Sequence, residues 1–318
     1  MADPMEPCTM LKGRHRRMFC VCIDSSSCSS PTVIHVTPKG KEVGGVTSLG
    51  NDVFVVRENS QQKIEVYDAK TFTLQRCIAL PGLGDYTQGL VVCSYNKCLY
   101  ASDCRNHNIH RVDLSGTNAV TKWSVARWPI GLSVNSEHCV LVVSQMERKL
   151  QIFATDGTLI RDIELQADFE GPRHVVQQST GQFLIIRVGQ FSHRVCLVGV
   201  DGAVVRSYGG RQGSELTQMN CPAGLTLDRE GRVLVADTGN NRLLVIDRSL
   251  SSAHVLSVGL DGGLKDPRIV WYDQARRRLY IGEGSGGRVI VIDSLEDFSC
   301  KHIVSMQTRL SCISKSRC

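Results

Sequence analysis

Apolar and β-branched residues in this chain come in short runs cut by Gly, Asp and Asn turns. Residues 221–247, CPAGLTLDREGRVLVADTGNNRLLVID, show the pattern at its clearest. Gly224-Leu225-Thr226-Leu227 opens the block, and a turn follows from Asp228 to Gly231. Val233-Leu234-Val235 then leads into Asp237, and Leu243 to Ile246 closes the block. This alternation of aliphatic run and turn predicts three successive antiparallel strands, with a fourth at residues 254–258. The opening strand recurs as GVTSL at Gly45, GLVV at Gly89, GLSV at Gly131, HVV at His174, GLTL at Gly224 and IVW at Ile269. The steps between these anchors are 44, 42, 43, 50 and 45 residues.

Four strands per ~40–50 residues, six times over, predict an all-β fold, a six-bladed β-propeller of four-stranded antiparallel blades. The blades are expected near residues 42–80, 86–126, 128–166, 171–209, 221–259 and 266–306. Runs such as VFVV and FLIIR are apolar without alternation, as in strands buried on both faces. A spare strand at residues 33–36 is expected to pair with the last blade, because an open ring leaves an unsatisfied sheet edge. It would either replace or join a strand at residues 302–306. The long step comes from an insertion at residues 209–220. Residues 31–306 therefore read as one domain, between a disordered arm (residues 1–30, basic and rich in Ser and Cys) and a basic tail (307–318).

Charge and composition narrow the function classes. The formal net charge is +6, but residues 1–30 carry +1 and residues 301–318 carry +4, leaving about +1 for the propeller. A near-neutral body argues against a broad nucleic-acid footprint, and no DNA partner is expected. No apolar run approaches the ~20 residues of a membrane helix, and 18–23 is too short for a signal-peptide core. Seven of the fourteen cysteines, from Cys77 to Cys221, lie scattered in the first five repeats. Reduced thiols are the expected state, which places the chain in the cytoplasm or the nucleus.

Residues 231–243, GRVLVADTGNNRL, resemble a strong NHL repeat; 277–293 and 97–113 resemble it with drift. The resemblance implies a TolB-like, six-bladed propeller similar to those ending tripartite-motif and RING-type ubiquitin ligases and the Brain tumor translational repressor. In that family the propeller recruits proteins or single-stranded RNA. About 30 residues precede the propeller in this sequence, too few for a RING, B-box and coiled coil. Any ligase activity would then come from another chain.

Repeat positions and repeat-breaking positions suggest different roles. Asp237 and Arg242 flank one hairpin, Glu283 and Arg288 another, and Glu58 and Lys63 a third; Asp103 and Asn108 offer a hydrogen-bonding version. Opposite charges at a hairpin base clamp the turn, at about 0.2–1 kcal/mol each. A residue repeated in several blades cannot form a unique active site. The positions just before the six anchors, Gly44, Gln88, Ile130, Arg173, Ala223 and Arg268, are expected to ring the channel mouth. Two arginines and no carboxylate make a poor divalent-cation site. Arg173 and Arg268 suit either water or an anion, acidic peptide or phosphate. Tyr86, Trp128 and Phe169 lie in loops leading to the same mouth, and Arg211 in the insertion, so these residues with Gln88 form the expected ligand face. Asp103, Cys104, His107 and His110 match no zinc spacing, and Cys8, Cys20, Cys22 and Cys28 only an irregular one. No catalytic, cofactor or metal residues are assigned. The resulting expectation is a non-enzymatic scaffold that binds a protein partner through one loop face. The alternatives are a single-stranded RNA-binding propeller and a lactonase- or lyase-like hydrolase.

Overall fold

A computed structural model describes residues 31–58 and 62–293. The expectations for the two arms, for the N-terminal cysteines and for a strand at 302–306 fall outside these residues. The described chain folds into six four-stranded antiparallel sheets. The innermost strands are Val43–Leu49, Leu90–Cys93, Pro129–Val134, Pro172–Gln177, Leu225–Leu227 and Pro267–Asp273. Each packs against the next, and the sixth returns to the first, so they form a closed ring. Among the described residues the one helical turn is a short 3-10 segment, Thr238–Asn240.

Closure comes from the strand Thr32–Val36, which pairs antiparallel with Val289–Asp293 as the outermost strand of blade six. The Val289 amide donates to the Thr37 hydroxyl, sealing the end of that seam. The strand thus removes an edge that would otherwise stay unpaired.

Second strands such as Val140–Ser144 and Val233–Asp237 are buried along their whole length. That burial explains the unalternating apolar runs, because each sheet is covered by the sheets on either side. The clusters accordingly straddle blade boundaries: Phe54 and Ile64 of blade one pack with Leu99 and Val112 of blade two. Inner strands approach still more closely. A Cβ on Gly131 would lie 2.4 Å from the Arg173 carbonyl oxygen. On Gly44 it would lie 1.9 Å from the Thr87 oxygen, so the ring can close this tightly only with glycine there.

Candidate functional site: the channel mouth

Chain direction assigns the two faces of the ring. Inner strands start at one face, and second strands return to it. Loops between blades and hairpins between second and third strands therefore share that face. It surrounds a cavity of about 260 Å3 lined by Gly44, Gln88, Ile130, Arg173, Ala223 and Arg268, with Glu58, Tyr86, His174 and Asp266 among their neighbours. One residue from each blade thus reaches the wall. Beneath it, a smaller space of about 40 Å3 is bounded by Trp271 and strand residues of the other blades. The Trp271 indole N–H donates to the Ser48 hydroxyl at 3.0 Å, and Ser48 donates to Asp273 at 2.8 Å.

The loops reaching this mouth carry an unusual backbone. Trp128, Gly171, Cys221 and Asp266 all have positive φ, at 62°, 51°, 47° and 54°. Each directly precedes a proline, Pro129, Pro172, Pro222 or Pro267. A residue before proline is pushed toward extended backbone, so the left-handed region is doubly unfavourable for Trp128, Cys221 and Asp266, of order 1–3 kcal/mol each. Side chains of the preceding blade oppose that strain. The Trp128 amide donates to the His107 ring nitrogen, Cys221 to His193 and Asp266 to the Asn241 carbonyl oxygen. The repeated X-Pro ahead of the anchors was the signal for this feature, and a search for strands alone passes over it.

Buried carboxylates fasten the same loops. Asp103 accepts the Gly84 amide, Asp237 the Asn220 amide and Glu283 the Lys265 amide. In each case the acceptor ends a second strand, and the donor lies in the loop arriving from the previous blade. Asp237 and Glu283 are fully buried and pair with Arg242 at 2.7 Å and Arg288 at 2.6 Å. These acids do more than clamp their own hairpins. The Arg242 guanidinium also donates to the carbonyls of Ser214, Glu215 and Gln218 in the insertion. Met219 is buried beside it and the Tyr208 hydroxyl donates to the Leu216 carbonyl. The insertion is therefore anchored to blade five, with Leu216 exposed. Arg211, also exposed, lies not in its loop but at the end of the fourth strand of blade four, Val204–Arg211, paired with Ser192.

Two other hairpin pairs are not formed. Asp103 and Asn108 are register partners, but the Asp103 carboxylate is taken by Gly84, Asn106 and His110. Asn108 instead accepts from Ser124. Burial would raise the Asp103 pKa, but the donors from His110, Asn106 and Gly84 outweigh it and lower it to about 2. Glu58 does not pair with Lys63. Its carboxylate accepts from Gln88 at 3.2 Å and lies 3.4 Å from the Arg268 guanidinium. Burial pushes the Glu58 carboxyl above its usual range, and the nearby Glu42 adds to that, while Gln88 and Arg268 oppose it.

The proposed ligand face separates accordingly. Tyr86 and Trp128 come together, ring centroids 5.8 Å apart, and Gln88 bonds to the Tyr86 hydroxyl. Phe169 does not join them: it is fully buried in the core between blades three and four, under the Arg187 guanidinium. A turn residue with a large apolar side chain found the core rather than the surface. Arg268 is enclosed by Glu42 at 2.7 Å, Asp266 at 3.0 Å and Glu58. Arg173 forms no ion pair among the described residues, and its Nε is buried without a hydrogen-bond partner. The adjacent His174 has an unpartnered Nδ1, and burial lowers its pKa to about 4, so the ring stays neutral. Exposed apolar groups stand around the rim in succession: Met146 in blade three, Phe191 (72% exposed) in blade four and Leu216 in the insertion.

The remaining chemistry candidates disperse. The Cys104 thiol donates to the Pro129 carbonyl, and burial pushes it, like Cys196, up to about 12. Among the described residues no three His, Cys, Asp or Glu side chains are grouped to hold a metal ion. No helix among them is long and apolar enough to cross a membrane.

Comparison with known proteins agrees with the repeat. Residues 219–246 match the NHL repeat family model. A stretch of 112 residues is 29% identical to human NHL repeat-containing protein 3, covering 35% of this chain and 32% of that protein. The chain thus spans about a third of that relative. Among solved structures, virginiamycin B lyase from Staphylococcus aureus is 9% identical with a TM-score of 0.59, over 81% of this chain and 98% of that one. An auxiliary nutrient binding protein from Bacteroides thetaiotaomicron is 12% identical with a TM-score of 0.62, over 81% and 71%. At such identities the structural likeness concerns the fold alone. The chain is a six-bladed β-propeller that carries an NHL repeat.

Proposed function

We propose that this propeller is a non-enzymatic recognition module that holds a protein partner on its mouth face. The observation that carries this reading is the rim: Met146, Phe191 and Leu216 present large apolar side chains to solvent on one face over adjacent blades. Contiguous exposed apolar patches mark interaction surfaces, and loops on a rigid scaffold are where binding residues concentrate. The Tyr86–Trp128 pair adds an aromatic anchor of the type enriched at the centre of interfaces. A partner linked to ubiquitin ligation is the finer form of the proposal, supported by the NHL repeat alone.

An RNA ligand has weaker support. Its expected contacts were Arg173 and Arg268, yet three carboxylates surround Arg268 and would repel a phosphate backbone. The lyase reading rests on a fold likeness.

Affinity capture on the full chain, with and without nuclease, tests the proposal when run beside a variant carrying Met146→Ser, Phe191→Ser and Leu216→Ser. Protein retention that resists nuclease and disappears in the variant is the expected outcome. Retention that vanishes with nuclease, or that survives loss of all three side chains, overturns it.

A further inference from the structure

The cavity at the mouth has two unlike walls. In a ring of six blades, blade four stands across the axis from blade one. Blade four contributes Arg173 and His174. Arg173 is a cation with no carboxylate in reach among the described residues, and both its Nε and the His174 Nδ1 are buried without partners. Unsatisfied buried polar atoms, here a cationic N–H donor and a neutral imidazole acceptor, are costly and uncommon in a folded protein. Across the axis, Glu42 and Glu58 from the start and second strand of blade one meet Asp266 of blade six around a single guanidinium, Arg268. Three carboxylates against one arginine leave that wall with an excess of negative charge.

We infer that the cavity binds a small zwitterion, with its carboxylate on Arg173 and its ammonium group on the Glu58 and Asp266 side. The inference rests on the reading of this face as a recognition surface and adds the chemistry of what enters its centre. A carboxylate supplies the acceptor that Arg173 lacks, and an arginine fork matches it geometrically. An ammonium group replaces part of the missing positive charge opposite. A phosphate would gain Arg173 but bring a second negative charge toward three carboxylates. Size points the same way. At about 260 Å3 the cavity is below the ~300–1,000 Å3 of pockets for drug-sized ligands. It suits one amino-acid residue or a short aliphatic chain charged at both ends.

Two sources share this chemistry: a free amino acid with separated charges, and a lysine at the C-terminus of another chain. Titration calorimetry on the full chain separates them. The probes are 6-aminohexanoate and lysine, hexanoate and hexylamine as single-charge analogues, and a peptide ending in lysine with a free or amidated terminus. The zwitterions, or the free-ended peptide, should bind at least about tenfold more tightly than either single-charge analogue or the amidated peptide. Preference for the free compounds assigns a small ligand; preference for the peptide assigns a chain terminus. Arg173→Gln and Glu58→Gln should each weaken binding by about tenfold or more while melting within a few degrees of the parent. The rim variant with Met146, Phe191 and Leu216 replaced should bind the zwitterion unchanged, so loss of partner capture and loss of this site are read separately. Equal binding of hexanoate and 6-aminohexanoate overturns the inference, as does the absence of heat with every zwitterion and the free-ended peptide at millimolar concentration, or an Arg173→Gln variant that binds like the parent.

Discussion

Blade five and blade one put an acid at the same place in the repeat, the end of the second strand, and use it oppositely. In blade five Asp237 is sealed from solvent, takes the Asn220 amide and is held by Arg242. In blade one Glu58 leaves its hairpin lysine alone and turns to Gln88 and Arg268 at the cavity. The first is a fastening between neighbouring blades; the second is part of a wall facing a void. A repeat position keeps its structural role where the arriving loop offers an amide and the hairpin offers an arginine. Where the cation is moved to another blade, as Arg268 is, the same acid becomes available to a ligand.

The largest expected effect breaks the fastening. Arg242→Ala leaves a buried Asp237 without its counter-charge and releases the insertion, a loss of about 3–5 kcal/mol. Melting followed by circular dichroism should fall by roughly 6–20 °C, given ~2–4 °C per kcal/mol for a domain of this size. A fall of only a degree or so would mean that the pair is not a fastening.

Asp103 comes next, through pH. Its folded pKa of about 2 lies below the ordinary 3.8, so its contribution is present above the ordinary value and disappears as pH falls toward the folded one. The shift corresponds to about 2 kcal/mol. Acid unfolding between pH ~4 and ~2 should be shallower in Asp103→Asn, which also begins less stable at neutral pH. Parallel acid limbs for the parent and the variant would contradict this assignment.

Glu58→Gln should barely change stability at neutral pH, within about 1 kcal/mol, because the parent carboxyl already carries a desolvation penalty. With a raised folded pKa, the Glu58 site favours folding at low pH and loses that advantage as pH rises from the ordinary 4.5 through the folded value. Melting curves across pH 4–7 should therefore decline less in the variant than in the parent. Lys63→Ala closes the series: with no pair to Glu58, it should shift stability by less than about 0.5 kcal/mol. A loss above about 1 kcal/mol would revive the hairpin clamp in blade one.

Much of the ring was readable from the chain because its period, its anchor glycines and its apolar runs all respond to one constraint, burial between two neighbours. The six residues ahead of the anchors reach the cavity wall for the same reason. What escaped was whatever depends on which neighbour supplies a partner. Glu58 and Asp237 look alike in one dimension, and only packing shows that Arg268 lies beside one and Arg242 beside the other. Phe169 reads as a loop aromatic, yet its turn folds inward over Val175 and Ile185. The left-handed residues before Pro129, Pro222 and Pro267 run against local backbone preference, so their geometry follows from tertiary hydrogen bonds and not from the dipeptide.

The seam between Thr32–Val36 and Val289–Asp293 joins positions as far apart as 261 residues in sequence, Thr32 and Asp293. On a ribosome adding ~5–20 residues per second, the first strand waits roughly 12–50 s before its partner exists. During that interval five blades can form in order, while the sixth sheet position has a strand at the wrong end of the chain. Biosynthesis of this ring therefore has a built-in delay, and a chain stalled late in translation carries an unpaired β-strand looking for any edge that will take it.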